Sequence, residues 1–304
     1  MQDNESAANG FWASLKHAFP DYELRPGLLL AGEYEDIQHV SMLGFVMGNF
    51  MNDWLGIPAN YQLASLRFGF NATMRNGRMT RVHLMFDLID LMRQAGFYPF
   101  RPMPGNSEQW IFAPGDAGYS LEDEGMRAGA RTLEIVREMQ VGLPAAGKVV
   151  DRASAAAAHS PHWSEHFNWF GPAGVGSSRG LRGFRDYHGA LFLKAFPDRH
   201  GLPRDPHGAD DRPGAFCEIG EGRLAMTAGW PAMRGTHGGA QWLGLPPTGK
   251  RIDMRVADWY RLTPDNRIAD NWVLIDIPHM LEQMGLDILD DLRFAVDPLR
   301  PRLD

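Results

Sequence analysis

Alternation of apolar and polar side chains with a period of two runs through the last third of the chain. In Arg251–Arg261, RIDMRVADWYR, one face carries Ile252, Met254, Val256, Asp258 and Tyr260. The other carries Arg251, Asp253, Arg255, Ala257, Trp259 and Arg261, as in a strand with one face on a core. The next stretch, Arg267–Ile275, sets Ala269, Asn271, Val273 and Ile275 on one face and Ile268, Asp270, Trp272 and Leu274 on the other. A helix is predicted after it, with Asp276 at the capping position and Pro278 in the first turn. Upstream, SLEDEGMRAGARTLEIVREMQVGL, from Ser120, opens with Ser-x-x-Asp and continues at helical spacing, which predicts a capped amphipathic helix.

The terminal pattern has a counterpart. Arg78–Phe97, RMTRVHLMFDLIDLMRQAGF, lines up without a gap on Arg267–Leu286, RIADNWVLIDIPHMLEQMGL, setting Asp87 on Asp276, Gln94 on Gln283 and Gly96 on Gly285. KHAFPDYEL, from Lys16, parallels LKAFPDRHGL, from Leu193, and NDWLGIPAN, from Asn52, parallels AQWLGLPPTG, from Ala240. Landmarks in the same order indicate an internal duplication. Each copy predicts a helix ending at AFPD, two strands, a Trp-Leu-Gly loop, two more strands and a closing helix. The fold class is therefore α+β: two curved antiparallel sheets, each with helices on one face. The copies divide the chain into 1–118 and 119–304. Only the second is preceded by an amphipathic helix, so the open face of the first needs cover from the segment around residues 98–150 or from the other lobe. Asp198–Pro213, DRHGLPRDPHGADDRP, has the Gly, Pro and Asp density of a long loop excursion.

Length and composition narrow the partners. A chain of 304 residues accommodates two domains with cores of their own. Its net charge of -7 gives no electrostatic footprint for a phosphate backbone, so nucleic acid is not an expected partner. The single cysteine, Cys217, cannot form an internal disulfide, which fits a reducing compartment. The N-terminus is polar and acidic where a secretory signal would be basic and then apolar. No apolar run reaches the roughly 20 residues of a membrane span. A cytoplasmic protein that does not enter a membrane is the expectation.

Candidate chemistry centres on Asp258, the one carboxylate on an otherwise apolar face. Such a group is paired, solvated in a cavity or held protonated, and in the last two cases it can serve as a general acid or base. Asn271 on the neighbouring strand is placed either to orient a ligand carbonyl or to satisfy a backbone group. Tyr260, Met254 and Val273 share the inward wall. Aromatic residues that can line a pocket for a flat apolar molecule are Trp169, in HWSEHFNWFGPAG, and Trp230 and Trp242. His237, in the glycine-rich RGTHGG, is a candidate base or donor near strand ends. Other motifs carry less. GLPPTGKR lacks the Ser or Thr of a phosphate loop, and GSSRG around Ser178 lacks a parallel-sheet context. Pro161 interrupts any helix that would align His159, His162 and His166, so no metal site is expected.

The succession FNWFGPAG, GFRDYHGALFLKAFPD, WLGLPPTGKRIDMRVADWYRL and NRIADNWVLIDIPHMLEQMG resembles the SnoaL-like polyketide cyclase family, of the nuclear transport factor 2-like (cystatin-like) fold. The resemblance covers residues 160–286 and, more weakly, 11–97. It implies cone-shaped sheets with helices on the concave side, a small apolar or aromatic carbonyl ligand, and no metal or organic cofactor. It further implies an intramolecular aldol closure, or a related isomerase or lyase reaction, driven by one aspartate. Residue by residue, that aspartate's position falls on Val273 in the second copy and on Leu84 in the first, and neither transfers a proton. Asp258 becomes the substitute base, with Gly69 at its place in the first copy. The resemblance also implies that the first lobe acts as a built-in partner, an intramolecular pseudo-dimer, with further self-association left open. A non-catalytic binding or assembly protein on the same scaffold is the alternative.

Overall fold

Both predicted sheets are present, and the one-sided burial of their strands explains how they are arranged. The structure, a computed structural model, describes residues 4–107, 110–112, 125–147, 161–202 and 215–292. The first lobe runs α1 (Asn4–Ala18), β1 (Glu23–Tyr34), β2 (Ile37–Asn49), β3 (Leu63–Arg75), β4 (Arg78–Phe86) and α2 (Leu88–Gln94). Its strands form an antiparallel meander in the order β1-β2-β3-β4. The second lobe begins with α3 (Gly125–Gly147), β5 (Trp163–Phe170) and β6 (Ser178–Arg179). Helix α4 follows in three pieces: Gly180–Phe184, a π-helical turn at Arg185–Gly189, and Ala190–Ala195. After it come β7 (His200–Gly201), β8 (Ala215–Glu221), β9 (Leu224–Thr236), β10 (Arg251–Leu262), β11 (Ile268–Ile275), α5 (Ile277–Met284) and α6 (Ile288–Asp291). The sheet order is β6-β5-β11-β10-β9-β7, with β8 also on β9; β5 runs parallel to β11.

Paired details show the duplication. Trp54 bridges Ile57 and Trp242 bridges Leu245, and the leucine that follows each tryptophan is left-handed, with φ of 52° at both Leu55 and Leu243. An L-residue other than Gly, Asn or Asp seldom holds that conformation, so both copies keep one unusual loop. Gln94 reaches back to Ser65, accepting from its N–H at 2.8 Å and donating to its carbonyl at 3.0 Å. Gln283 does the same for Asp253, at 2.8 and 2.9 Å. Each glutamine thus closes the two backbone groups of a strand residue that its ladder leaves open. Asp87 and Asp276 cap α2 and α5, as expected, and each meets an arginine, Arg67 at 3.3 Å and Arg255 at 3.0 Å.

The second lobe and the connecting segment cover one face of the first sheet, the one opposite to the row Leu29, Met42, Phe70 and Leu84; that row matches the face that α3 covers in the second lobe, and it stays partly exposed. Leu28, Leu30, Leu43 and Met85 pack with Ile219, Met226, Ala257, Trp259, Trp272 and Leu274 of the second lobe in one core, to which Trp110 of the connecting segment belongs. Phe112 stacks on Trp272 at 5.5 Å. Trp259 Nε1 donates to Ser41 Oγ across the lobes at 2.9 Å. Gly69 makes room for that indole: a Cβ there would stand 2.4 Å from the Trp259 ring.

Two expectations are corrected by register. Phe86 pairs with Phe68, as Ile275 pairs with Val256, so Asp258 corresponds to Phe70, the residue opposite Leu84, and not to Gly69. The hairpin between β3 and β4 is one residue shorter than that between β10 and β11, and an alignment carried from the helix side slips there by one. Ile268 joins the helix-covered core, because an irregular step at Leu262 and Ile268 breaks the alternation. The cut at 118/119, the Ser120 cap, His159 and most of the 198–213 loop lie outside the described residues. No helix of the described residues is long and apolar enough to cross a membrane.

Candidate functional site

Strand alternation turns Ile252, Met254, Val256, Asp258 and Tyr260 toward α3, α4 and α5, where Met254, Val256, Tyr260 and Val273 are buried in the helix-covered core. Asp258 lies opposite Val273 on β11 and Thr227 on β9. The carboxylate is deep in the lobe, yet part of the residue's surface stays accessible. No cation lies within ion-pair distance of it among the described residues. Its partners are neutral: Asn271 Nδ2 donates to Oδ1 at 3.3 Å, and the Tyr260 hydroxyl also favours the ionised form. Burial outweighs both and raises the Asp258 pKa to about 7, since an enclosed carboxylate without a counter-charge holds its proton. The Tyr260 phenol is pushed well above its usual range, chiefly by burial and then by the charge of Asp258. Gln140 of α3 donates to Thr227 Oγ1 at 3.0 Å and to Tyr260 Oη at 3.4 Å. Five polar side chains from four elements thus share one end of an apolar wall.

Asp87 shows what a structural acid looks like in this protein. Burial raises its pKa to about 6, with Arg67 pulling the other way. Its carboxylate is spent on Arg67, on the Asp90 N–H at 3.1 Å and on the Ala173 N–H at 2.9 Å. Asp258 has no such set.

The other expected residues divide. Asn271 faces inward, with its amide directed at Asp258 and at the carbonyls of Trp259 (3.2 Å) and Trp272 (3.5 Å). It holds the acid and its own strand. Trp169 is on the same wall, beside Asn271 in the β5–β11 ladder. Trp230 is not: it packs on the inter-lobe core and against His83 of the first lobe at 5.2 Å. It shares the strand parity of Met226 and Ala228, which turns it away from the acid. His237 is also elsewhere. It follows Thr236, which pairs with Arg251, whereas Asp258 pairs with Thr227 at the other end of β9. Fully buried against Phe196, His237 ties the 237–250 loop through its backbone and through Thr248 Oγ1 at 3.3 Å. Ser178 precedes α4 on a short antiparallel strand, and its hydroxyl has no hydrogen-bond partner among the described residues.

Sequence reading missed His188. It sits in the π turn of α4, stacked on Trp169 at 4.2 Å and 15°, with Phe184 at 5.5 Å and Phe192 at 5.6 Å. Enclosure first, and then the Arg199 charge, lower its pKa to about 3, so the ring is neutral. The spacing Phe184, His188, Phe192, Phe196 is an aromatic stripe at intervals of four with one histidine in it, and that was the available signal. His188 also lines a surface cavity of about 150 Å³. A second cavity, of about 420 Å³, lies between the first lobe's Trp-Leu-Gly loop and α5–α6, and neither is lined by Asp258.

The chain is similar in structure to SnoaL-like and nuclear transport factor 2-like proteins. IdmH of Streptomyces antibioticus, assumed to be a polyketide cyclase, is 17% identical, with 51% of this chain covered, 99% of IdmH covered and a TM-score of 0.35. A SnoaL-like protein of Jannaschia sp. CCS1, likewise assumed to be a cyclase, is 13% identical, with coverage of 55% and 98% and a TM-score of 0.37. A nuclear transport factor 2-like protein of unknown function from Burkholderia pseudomallei K96243 is 12% identical, with coverage of 51% and 98% and a TM-score of 0.36. No protein-family model matches the sequence, and no curated protein does so significantly.

Proposed function

We propose that the second lobe performs cofactor-free proton transfer on a small apolar carbonyl compound, in an aldol-type cyclisation, an isomerisation or an elimination, with Asp258 as the acid–base group. The observation that carries this reading is the carboxylate on the helix-covered wall, met by neutral hydrogen-bond donors and by no cation among the described residues. A group with a pKa near 7 takes a proton from the carbon beside a carbonyl in its ionised form and returns it to an alkoxide or enolate in its protonated form. Asn271 positions the carboxylate, and Trp169, Tyr260, Met254 and Val273 make up the apolar wall around it. Register supports the substitution of one acid for another. Val273, where the family resemblance puts its aspartate, is the direct cross-strand partner of Asp258. Directly opposite side chains on one sheet face sit about 5 Å apart, so a carboxylate moved between these strands still serves the same space. In the first lobe the matching positions are Phe70 and Leu84, and chemistry there has no acid.

The test needs no knowledge of the natural substrate. Exchange of the α-protons of a flat ketone, 2-tetralone, in D2O is followed by proton NMR at pH 7.5. The wild-type chain accelerates exchange above the buffer rate, and Asp258→Asn returns it to that rate, a loss of roughly a hundredfold or more. Equal exchange by both proteins removes Asp258 from the chemistry. The inter-lobe core favours the second reading, a non-catalytic binding or assembly protein with a built-in partner. That reading predicts no exchange by either protein.

A further inference from the structure

The duplication provides two equivalent crevices with different linings. In each, the Trp-Leu-Gly loop of one lobe faces the segment that follows the closing helix of the other: Leu55 and Gly56 face Leu289, and Leu243 and Gly244 face Phe100. The crevice at Leu55 is polar, lined by Arg255, Asp276, His279 and Glu282 among others. The crevice at Leu243 is aromatic, lined by Phe100, Tyr187, His188, Phe192, Trp242 and Leu243. A shared origin accounts for the common geometry. It does not account for one copy gathering rings around a single imidazole.

That imidazole is placed for a ligand. His188 stacks on Trp169, lies near-parallel to Phe192 and is met edge-to-face by Phe184, so packing fixes its plane. Neither ring nitrogen has a hydrogen-bond partner among the described residues, and the residue borders the cavity. The π turn that carries it is a device that re-aims side chains within a helix and recurs at functional sites. A cavity of about 150 Å³ matches the size that takes a single benzene-sized ring. Aromatic walls favour a flat guest, and a half-buried imidazole at the cavity, without a partner among the described residues, favours one that carries an oxygen to bond to it.

We infer that this crevice is a subsite for one aromatic ring bearing a hydroxyl or carbonyl oxygen, held by stacking on the crevice walls and by a hydrogen bond to His188. The inference stands apart from the chemistry assigned to Asp258, although Trp169 connects the two places: it stacks on His188 and neighbours Asn271 in the sheet.

Fluorine NMR titrations with 4-fluorophenol and fluorobenzene test it on the whole chain. The wild type binds 4-fluorophenol roughly three- to tenfold more tightly than fluorobenzene. His188→Phe keeps the stack but removes the hydrogen bond, and brings the two affinities within twofold. Leu191→Trp, at an exposed position on the crevice rim, weakens both probes and supplies the answer if His188→Phe does not fold. Equal affinities for the two probes in the wild type, or a phenol preference that survives His188→Phe, or binding untouched by Leu191→Trp where that variant decides, overturns the subsite. Failure here leaves α-proton exchange by Asp258 intact, and loss of exchange in the wild type leaves ring binding at His188 intact, so the two proposals fail separately.

Discussion

Asn271 Nδ2 lies 3.3 Å from Asp258 Oδ1, bridging β11 to β10 without bringing a charge to the carboxylate. A neutral donor lowers a carboxylate pKa modestly, and an arginine in its place would lower it far more. The balance between burial and two neutral donors, this amide and the Tyr260 hydroxyl, holds the Asp258 pKa at about 7. Asn271→Ala removes the donor and raises the Asp258 pKa further, by roughly 0.5 to 1 unit. The pH at which exchange of 2-tetralone is half-maximal moves up by the same amount. An unchanged or lowered midpoint contradicts the role given to Asn271.

Stability depends on the same group with a definite sign. The Asp258 pKa is raised from 3.8 to about 7, so the folded state binds the proton more tightly than the unfolded chain. Its contribution is most favourable below pH 4, falls as pH rises between about 4 and 7, and is flat above. Asp258→Asn removes that slope, so at pH 8 the variant is the more stable protein, by a few kcal/mol at most. At pH 4 the gain disappears. Urea unfolding at the two pH values measures the difference. Asp87 contributes a slope of the same sign up to about pH 6, and the comparison cancels it.

The inter-lobe core predicts a steric effect at a distance from the acid. A Cβ at Gly69 would overlap the Trp259 ring at 2.4 Å, so Gly69→Ala forces the lobes apart or tilts the indole. The cost is about 1–3 kcal/mol, as for other overpacked interiors. Gly10→Ala, with open space around it, is the control. Denaturant midpoints that are equal for the two variants would show that the sheets do not pack as described.

The duplicated glutamine clamps give a paired prediction. Gln94→Ala and Gln283→Ala each leave the N–H and carbonyl of one strand residue without a side-chain partner. Each costs about 1–3 kcal/mol in thermal or urea unfolding. A large effect at one position and none at the other would argue that the clamps are not equivalent.

Much of this arrangement was legible in the sequence, because period-two burial assigns faces without knowledge of the fold. Asp258 stood out as the only charge on its face, and its cap-like counterpart Asp276 was separated from it by position alone. Gly69 was mistaken for Phe70 because a one-residue difference in hairpin length is invisible until backbone pairing fixes the register. Trp230 is a pocket aromatic by residue type and His237 a candidate base by its glycine-rich turn near strand ends, but strand parity sends the first to the lobe interface and strand length sends the second to the far end of β9. His188 depended on how α4 folds back over β5, a long-range contact for which the stripe of Phe184, Phe192 and Phe196 was only a hint.

Carbon-13 NMR titration of the aspartate carboxyl groups, assigned by difference against Asp258→Asn, addresses the central claim directly. An Asp258 resonance with its midpoint close to pH 7 is the predicted result. A midpoint at or below pH 4 would mean a paired or water-exposed carboxylate and would contradict the account.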